Sequence, residues 1–367
     1  MKKTLALVLT ALMVSSLTAC GGSKAESSSA ASSAPASEAA PASSQAAPAA
    51  DASDITVGAC IYKFDDTFMT GVRNNMTEAA KTLGATLEIV DSQNKQPTQN
   101  EQVDTYITKG VNALAVNPVD LTAAGPIIDK AMAEDLPIVF LNRQPSDADM
   151  AKYDKTWYVG ARAEESGTMS GEIIADYFKE HKDADKNGDG KIQYVMLQGE
   201  PGHQDATLRT EYSIKAIENA GFGADKLAAD TAMWDKVKAT DLMKTFIAAN
   251  GLDKIEAVLA NNDDMALGAI EALKAEGYNT GDATKYIPVV GVDATAPALA
   301  AMKDGSLLGT VLNDGKNQGI ATINIAVAAA QGKEINKDNV GFEVTDGKYV
   351  WIPYVKVTAE NYEQFAS

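Results

Sequence analysis

The segment that decides the fold is residues 55–68, ITVGACIYKFDDTF. Its first eight residues form a nearly continuous apolar run, which predicts a strand buried on both faces, and the polar residues after it predict a loop. Residues 68–83 then show the apolar spacing of an amphipathic helix. A buried strand followed directly by a helix is the first unit of a parallel sheet, because parallel strands need a crossover connection.

The same alternation continues along the rest of the chain. Short apolar runs predict further strands, and stretches with helical periodicity separate them. Two such series, without an internal repeat, predict two doubly wound α/β domains with parallel sheets. The predicted strands are residues 85–90, 113–116, 137–141, 157–159, 192–197, 257–260, 288–292 and 309–312, and the clearest helices are 98–109, 121–133, 164–179 and 206–220.

Composition and charge exclude several classes of protein. The chain has 367 residues, of which 50 are acidic and 32 basic, giving a formal net charge of −18 at pH 7. Such a surface repels phosphate backbones, so we expect no nucleic-acid partner. Two cysteines and two histidines rule out a disulfide scaffold and a histidine-rich metal site. No stretch from Asp54 onward approaches 18 apolar residues, so we expect no membrane span there.

The N-terminus has the pattern of a signal peptide. Two lysines precede an apolar run at residues 5–17, and small residues then lead to Cys20. This resembles the bacterial lipobox, in which cleavage before the cysteine and acylation of its thiol anchor the protein to a membrane outside the cytoplasm. We expect a lipoprotein signal peptide at 1–19; an ordinary signal peptide with an incidental cysteine is the alternative. Residues 20–53, largely Ala, Ser and Pro after the cysteine, predict a flexible tether.

Polar side chains collect directly after the predicted strands. Open parallel sheets bind ligands beyond the carboxyl ends of their strands, so these side chains should face one cleft between the domains. Taken singly, each Asp or Asn is more often a helix N-cap or turn former. Together their donors and acceptors suit a small polyhydroxylated ligand, and Phe68 and Trp234 could supply flat faces for a sugar ring, with core packing as the alternative. The polar residues after the predicted strands are Lys63, Asp65, Asp66, Thr67, Asn142, Arg143, Glu200, His203, Gln204, Asp205, Arg209, Asn261, Asn262, Asp263, Asp264, Asp293, Asn313 and Asp314.

Residues 185–193, DKNGDGKIQ, resemble the first nine positions of an EF-hand calcium loop. Oxygens at positions 1, 3, 5, 7 and 9 can surround a hard cation, and the glycine at position 6 permits the sharp turn. Position 12 is Met196 rather than glutamate, so a calcium site would need a carboxylate from elsewhere. A solvated acidic turn is the alternative.

Six motifs together resemble the bacterial galactose/glucose-binding proteins, type I periplasmic binding proteins that supply ABC sugar importers. The resemblance covers nearly all of 54–367 and implies a monomer that binds D-galactose or D-glucose between two domains and delivers it to an ABC importer. It implies that the ring lies between Phe68 and Trp234. The polar contacts that it implies are Asp66, Asn142, His203, Asp205, Arg209, Asn262, Asp293 and Asn313. The motifs are residues 61–69, 199–205, 230–235, 260–263, 291–293 and 309–314.

The same resemblance implies a calcium site and a domain division. The calcium ligands would be Asp185, Asn187, Asp189, the carbonyl of Lys191, Gln193 and the distant Glu256. The N-terminal domain would comprise 54–160 plus 314–349, and the C-terminal domain 161–313 plus 350–367. A three-segment hinge would join them and let the cleft close over the sugar.

Two other functions fit parts of the sequence. A carbohydrate-processing enzyme would use a carboxylate pair such as Asp66 and Asp205. A sugar-responsive repressor of the same fold would carry a basic helix-turn-helix head, where this chain has a signal peptide and a tether. We expect a binding protein without catalytic residues, and the sequence does not decide between glucose and galactose.

Overall fold

The computed structural model describes residues 51–366, which belong to one compact unit. The predicted signal peptide, Cys20 and nearly all of the predicted tether lie outside the described residues. None of the helices in 51–366 is long and apolar enough to cross a membrane.

Strands and helices alternate, as the sequence predicted. The strands are β1 (Thr56–Ile61), β2 (Thr86–Asp91), β3 (Ala113–Val116), β4 (Ile138–Leu141), β5 (Thr156–Gly160), β6 (Lys191–Gln198), β7 (Gly223–Thr231), β8 (Ala257–Ala260), β9 (Val289–Val290), β10 (Thr310–Leu312), β11 (Tyr349–Trp351) and β12 (Val355–Val357). The helices are α1 (Thr67–Leu83), α2 (Gln96–Lys109), α3 (Ala124–Ala133), α4 (Asp147–Met150), α5 (Ala163–Glu180), α6 (Gln204–Asn219), α7 (Lys236–Asn250), α8 (Asp263–Ala275), α9 (Ala296–Lys303), α10 (Gly315–Ala330) and α11 (Lys337–Val340).

The first lobe is built on a six-stranded parallel sheet with the order β11-β5-β4-β3-β1-β2. Both faces of β1 are buried, as its apolar run predicted. Val57 packs in a cluster with α1 and α10, whereas Cys60 faces the opposite cluster, which contains Tyr106. Between them Gly58 is required, because a Cβ there would lie 2.6 Å from the ring of Tyr106.

The second lobe contains a four-stranded parallel sheet with the order β7-β6-β8-β9. Isolated parallel bridges extend it to the segment of β10, and β12 pairs with β10 in the antiparallel direction. Helix α5 packs against α6, and α7 packs against α8. Strands β7, β11 and β12 were absent from the sequence prediction. They lie at sheet edges or pair with one neighbour, so they lack the continuous apolar run of a central strand.

The chain crosses between the lobes three times. It leaves the first sheet after β5, returns after β10 into α10, which packs on α1, and leaves again after β11. The expected boundary at residue 349 needs correction, because it falls inside β11. This strand pairs with β5 through Tyr349–Tyr158, so the third crossing follows Trp351.

Candidate ligand-binding cleft

A cavity lies between the two lobes. The residues around it follow the carboxyl ends of strands in both sheets, where parallel α/β proteins bind ligands. All ten residues that the sequence predicted for the sugar site line this cavity. Tyr62, Met69 and Arg143 also line it and were not predicted.

Three of the lining side chains are helix N-caps. Asp66 accepts a hydrogen bond from the backbone N–H of Met69 at 2.7 Å at the start of α1. The Nδ1 of His203 accepts one from an N–H at the start of α6, and Asn262 does the same for α8. Three helices therefore direct their N-termini toward the cavity, and the same side chains that face the ligand begin these helices.

Hydrogen bonds from neighbouring residues orient the side chains by which the first lobe lines the cavity, here called the first-lobe wall. The hydroxyl of Tyr62 donates to Oδ2 of Asp66 at 2.5 Å. Asn142 has a φ of 62°, a left-handed conformation that Asn tolerates better than most residues. The Nδ2 of Asn117 donates to its Oδ1 at 3.2 Å, and the hydroxyl of Tyr158 donates to its carbonyl at 2.9 Å. Asn142 therefore has its amide N–H groups available as donors.

The second-lobe wall is organised around Arg209, which is 5% exposed. Its guanidinium donates to the carbonyl of Asn261 at 2.8 Å, to the hydroxyl of Tyr354 at 3.0 Å and to Oγ of Ser166 at 3.2 Å. It also forms an ion pair with Asp205 at 3.2 Å. These four partners come from different elements, so Arg209 holds the wall in one arrangement and fixes the Asp205 carboxylate.

Burial perturbs the titration of the second-lobe acids. Removal from water raises the pKa of Asp205, and the nearby Arg209 opposes that shift. Burial raises the pKa of Asp293 well above its usual value, again opposed by Arg209 and reinforced by Asp263. Asp293 also accepts a hydrogen bond from Nδ2 of Asn313 at 3.3 Å. Such shifts are a common feature of functional sites.

The imidazole of His203 is a neutral donor. Burial, with Arg143 and Arg209 nearby, lowers its pKa well below the usual value. Its Nδ1 accepts the N–H of Asp205 at 3.1 Å, so in the neutral ring Nε2 carries the hydrogen. The wall therefore offers both donors and carboxylate acceptors to a ligand.

One aromatic side chain from each lobe lines the cavity. Phe68 belongs to α1 in the first lobe and is half-buried; Trp234 precedes α7 in the second and is 8% exposed. The indole lies against Gly199, where a Cβ would come within 2.1 Å of the ring. The ring of His203 meets it edge-on, with centroids 5.1 Å apart. The two predicted aromatic residues thus line one cavity, and each belongs to a different lobe.

The sequence offered partial signals for the residues it missed. Tyr62 is the last residue of the predicted first strand, and Arg143 follows Asn142 directly at another strand end. Both residues therefore lie at the carboxyl end of a predicted strand, where ligand-binding residues were expected. Their roles depend on partners that are distant in sequence, since Arg143 pairs with Glu200, and periodicity does not identify such partners.

The predicted calcium loop precedes β6. Asp185 closes its turn, accepting the N–H of Gly188 at 2.8 Å. The carboxylate of Glu256 reaches this loop, accepting the N–H of Lys186 at 2.7 Å and that of Gln193 at 3.0 Å. The fold therefore brings the distant carboxylate to the loop, as the resemblance implied.

The oxygens of this loop do not form an acidic cluster. Within residues 51–366, no group of three or more His, Cys, Asp or Glu side chains is placed to hold a metal ion. Asp189 accepts hydrogen bonds from the N–H of Lys191 and from Nε2 of Gln193 at 2.9 Å each. The Oε1 of Gln193, however, is buried without a hydrogen-bond partner. Metal binding by this loop stays a prediction.

Comparison with known proteins agrees with the geometry. A family model described as periplasmic binding protein domain matches residues 57–334. The chain is 42% identical over 320 residues to the D-galactose/methyl-galactoside binding periplasmic protein of Haemophilus influenzae, covering 87% of this chain and 94% of the relative. It is 32% identical over 292 residues to the xylitol-binding protein of Mycolicibacterium smegmatis, covering 80% and 77%.

A solved structure has the same fold. The ABC transporter solute binding protein of Bacillus halodurans, with bound myo-inositol, superposes with a TM-score of 0.72 at 31% identity, covering 86% of this chain and 98% of that one. The predicted two-domain α/β fold is thereby confirmed. By sequence match and by fold, the chain belongs to the periplasmic binding protein family, whose members bind ligands for transport rather than catalyse reactions.

Proposed function

We propose that this chain binds D-galactose or D-glucose in the interlobe cavity and delivers it to an ABC importer. Family membership makes it an extracytoplasmic substrate-binding protein. The observation that carries the proposed ligand is the cavity itself, in which Phe68 and Trp234 face the same space from opposite lobes. Flat apolar faces suit the C–H surfaces of a pyranose ring, and the polar groups between them suit its hydroxyls.

The polar groups match a polyol rather than an ion. Carboxylates such as Asp66 and Asp293 accept from hydroxyl groups, while Asn142 and Nε2 of His203 donate to hydroxyl oxygens. Arg209 is already paired with Asp205, so it does not act as a free cation for an anionic ligand. The identity to the D-galactose/methyl-galactoside binding relative favours a hexose among the possible polyols.

A thermal-shift screen of the purified protein tests the proposed ligand. The panel is galactose, glucose, methyl-galactoside, ribose, xylitol and myo-inositol, and titration calorimetry follows for each compound that shifts the melting temperature. A ligand at 1,000 times its dissociation constant should add about 4 kcal/mol of stability. We expect galactose or glucose to bind most tightly. Tightest binding of xylitol or myo-inositol would replace the proposed ligand, and release of nitrophenol from nitrophenyl glycosides would contradict a purely binding role.

We propose further that the loop at 185–193 and Glu256 hold a calcium ion. The donor set consists of hard oxygens, which calcium prefers, from Asp185, Asn187, Asp189, Lys191, Gln193 and Glu256. The unpartnered Oε1 of Gln193 supports this set, because a buried polar atom needs a partner. Burial raises the pKa of Glu256, and a bound ion would supply the positive charge that favours its ionised form.

Chelation tests this site. Removing the ion should lower the melting temperature, with a smaller effect on sugar affinity, since the loop leads into β6 at the end away from the cavity. Asp189→Ala should show the lower melting temperature without chelator, and Glu256→Gln should weaken calcium affinity. Asp183→Ala changes an exposed carboxylate just before the loop and serves as the control. An unchanged melting curve with no calcium by elemental analysis would leave the loop as a solvated acidic turn.

We propose also that Cys20 is lipidated and that the protein is a membrane-tethered monomer. The support is the lipobox-like sequence before Cys20 and the Ala/Ser/Pro-rich composition after it. Cys20→Ser should release the protein from membranes in cell fractionation while sugar affinity stays unchanged. Equal membrane fractions for the variant and the wild type would refute the anchor, and light scattering of the released protein reports its oligomeric state.

A further inference from the structure

A buried ion pair between Arg143 and Glu200 crosses the cleft. Arg143 follows β4 in the first lobe, and Glu200 lies between β6 and α6 in the second. Nη2 of Arg143 donates to Oε2 of Glu200 at 2.7 Å, and the side chains are only 6% and 10% exposed. Among the ion pairs formed within 51–366, this is the one that joins the two lobes.

The first lobe holds the guanidinium of Arg143 in place. Nη1 donates to the carbonyl of Val119 at 2.8 Å. The guanidinium carbon lies 4.1 Å from the centroid of the Tyr62 ring, at the distance of a cation–π contact. Both partners belong to the same lobe as Arg143. The position of the cation is therefore supported by contacts that do not involve the second lobe.

The second lobe holds the backbone of Glu200 with similar restraint. The N–H of the preceding Gly199 donates to Oδ1 of Asn261 at 3.0 Å, and its carbonyl accepts from the hydroxyl of Thr231 at 2.6 Å. The carbonyl of Glu200 accepts the N–H of His203 at 3.1 Å. Each charge is thus held by its own lobe, and their contact joins the two lobes.

We propose that Arg143 and Glu200 are positioning residues that couple ligand binding to closure of the lobes. A charge taken out of water without its partner carries a large desolvation cost, whereas a paired charge recovers much of that cost. The closed state is therefore stable when both charges are present or both are absent, and it is destabilised when only one is present. This inference rests on the proposed function as a closing binding protein, and it assigns the pair a role in the geometry of closure rather than in net stability.

A double-mutant cycle tests the coupling. The variants are Arg143→Met, Glu200→Met and the double variant, titrated with the sugar that the wild type binds. Each single variant should raise Kd by about 100-fold, because it leaves one charge buried and unpaired. The double variant should return to within about tenfold of the wild type, since two methionines fill similar volume without charge. Arg143→Lys keeps the cation and should recover most of the affinity.

A matched control uses another hydrogen bond between the lobes. The hydroxyl of Thr67 donates to Oδ2 of Asp264 at 2.7 Å in an exposed position. Thr67→Val removes this hydrogen bond and leaves the carboxylate of Asp264 half-buried, where water can still reach it, so Kd should change by less than about fivefold. A change as large as that of the single Arg143 or Glu200 variants would mean that any interlobe contact controls affinity.

X-ray scattering reads closure directly. With saturating sugar, the single variants should have a larger radius of gyration than the wild type and the double variant. If the single-variant effects on Kd multiply in the double variant, or if all four proteins close equally, the proposal is overturned. Failure of the proposed function gives a different result, because the wild type then binds neither galactose nor glucose. The double-mutant cycle is in that case measured with whichever compound of the thermal-shift panel the wild type binds. If the wild type binds no compound of the panel, both the proposed function and the coupling are overturned.

Discussion

Asp66 is predicted to have two separable roles, in sugar binding and in the stability of α1. Its Oδ1 caps the helix through the N–H of Met69, and its Oδ2 accepts the hydroxyl of Tyr62. Asp66→Ala removes the cap, at about 1 kcal/mol. It also leaves the buried Tyr62 hydroxyl without its acceptor, at about 1–3 kcal/mol. The free energy of unfolding should therefore fall by about 2–4 kcal/mol, which leaves a protein of ordinary stability folded.

Asp66→Asn separates the two roles. Asn is as good an N-cap as Asp, and the Tyr62 hydroxyl can accept from its Nδ2, so stability should stay within about 0.5 kcal/mol of the wild type. Sugar affinity should nevertheless fall in both variants by about 10- to 150-fold, because a carboxylate acceptor is lost. Urea unfolding of the sugar-free protein and titration calorimetry measure the two effects independently.

Asn336→Ala is the control for the cap. Asn336 accepts from the N–H of Asn339 at 3.1 Å at the start of α11 and does not line the cavity. Its replacement should cost about 1 kcal/mol of stability with no change in Kd. Wild-type affinity in Asp66→Asn would remove Asp66 from the sugar site. Equal stability of the Ala and Asn variants at position 66 would refute the capping argument.

Three other predictions concern the second lobe. Sugar affinity should be full above the raised pKa of Asp293 and fall as the pH drops through it, because protonation turns an acceptor into a donor. Calorimetric Kd values across the pH range in which the protein stays folded check this, and a constant Kd contradicts it. Sugar should change the intrinsic fluorescence of Trp351→Phe but not of Trp234→Phe, because only Trp234 of these two lines the cavity. Arg209→Met should lower the free energy of unfolding by about 3–5 kcal/mol in urea, since buried carboxylates lose their cation; a loss below about 1 kcal/mol would show that Arg209 does not hold the wall.

Much of the candidate site could be predicted because the sequence shows where the buried strands end: an apolar run stops and polar residues follow. In a parallel sheet every strand that ends at one edge delivers its next residues to that edge. Asn262 and Asp293, which follow β8 and β9 of the second-lobe sheet, could therefore be placed near each other without knowing any contact. The Arg143–Glu200 pair could not be predicted in this way. Its partners are separated by 57 residues, and the choice of Glu200 depends on how the two lobes meet.

The edge strands show the physical limit of pattern reading. Strand β7 carries exposed and half-buried residues along its whole length, because only one neighbour covers it. Its sequence, GADKLAADT, therefore lacks the apolar run that marked β1. The same reasoning explains the boundary error at residue 349, since β11 has three residues and lies at the edge of the first sheet.

Backbone geometry and ligand chemistry favour the same residue types in this cleft. Asp66, His203 and Asn262 begin helices, where a short acceptor side chain is needed whatever the ligand. Asn142 has a φ of 62°, in the left-handed region that Asn tolerates better than most residues. The capping and binding interpretations of these positions are therefore not alternatives. A change of ligand preference at a capping position must also preserve the cap, so exchanges between Asp and Asn alter the hydrogen-bonding pattern of the cavity at the least structural cost.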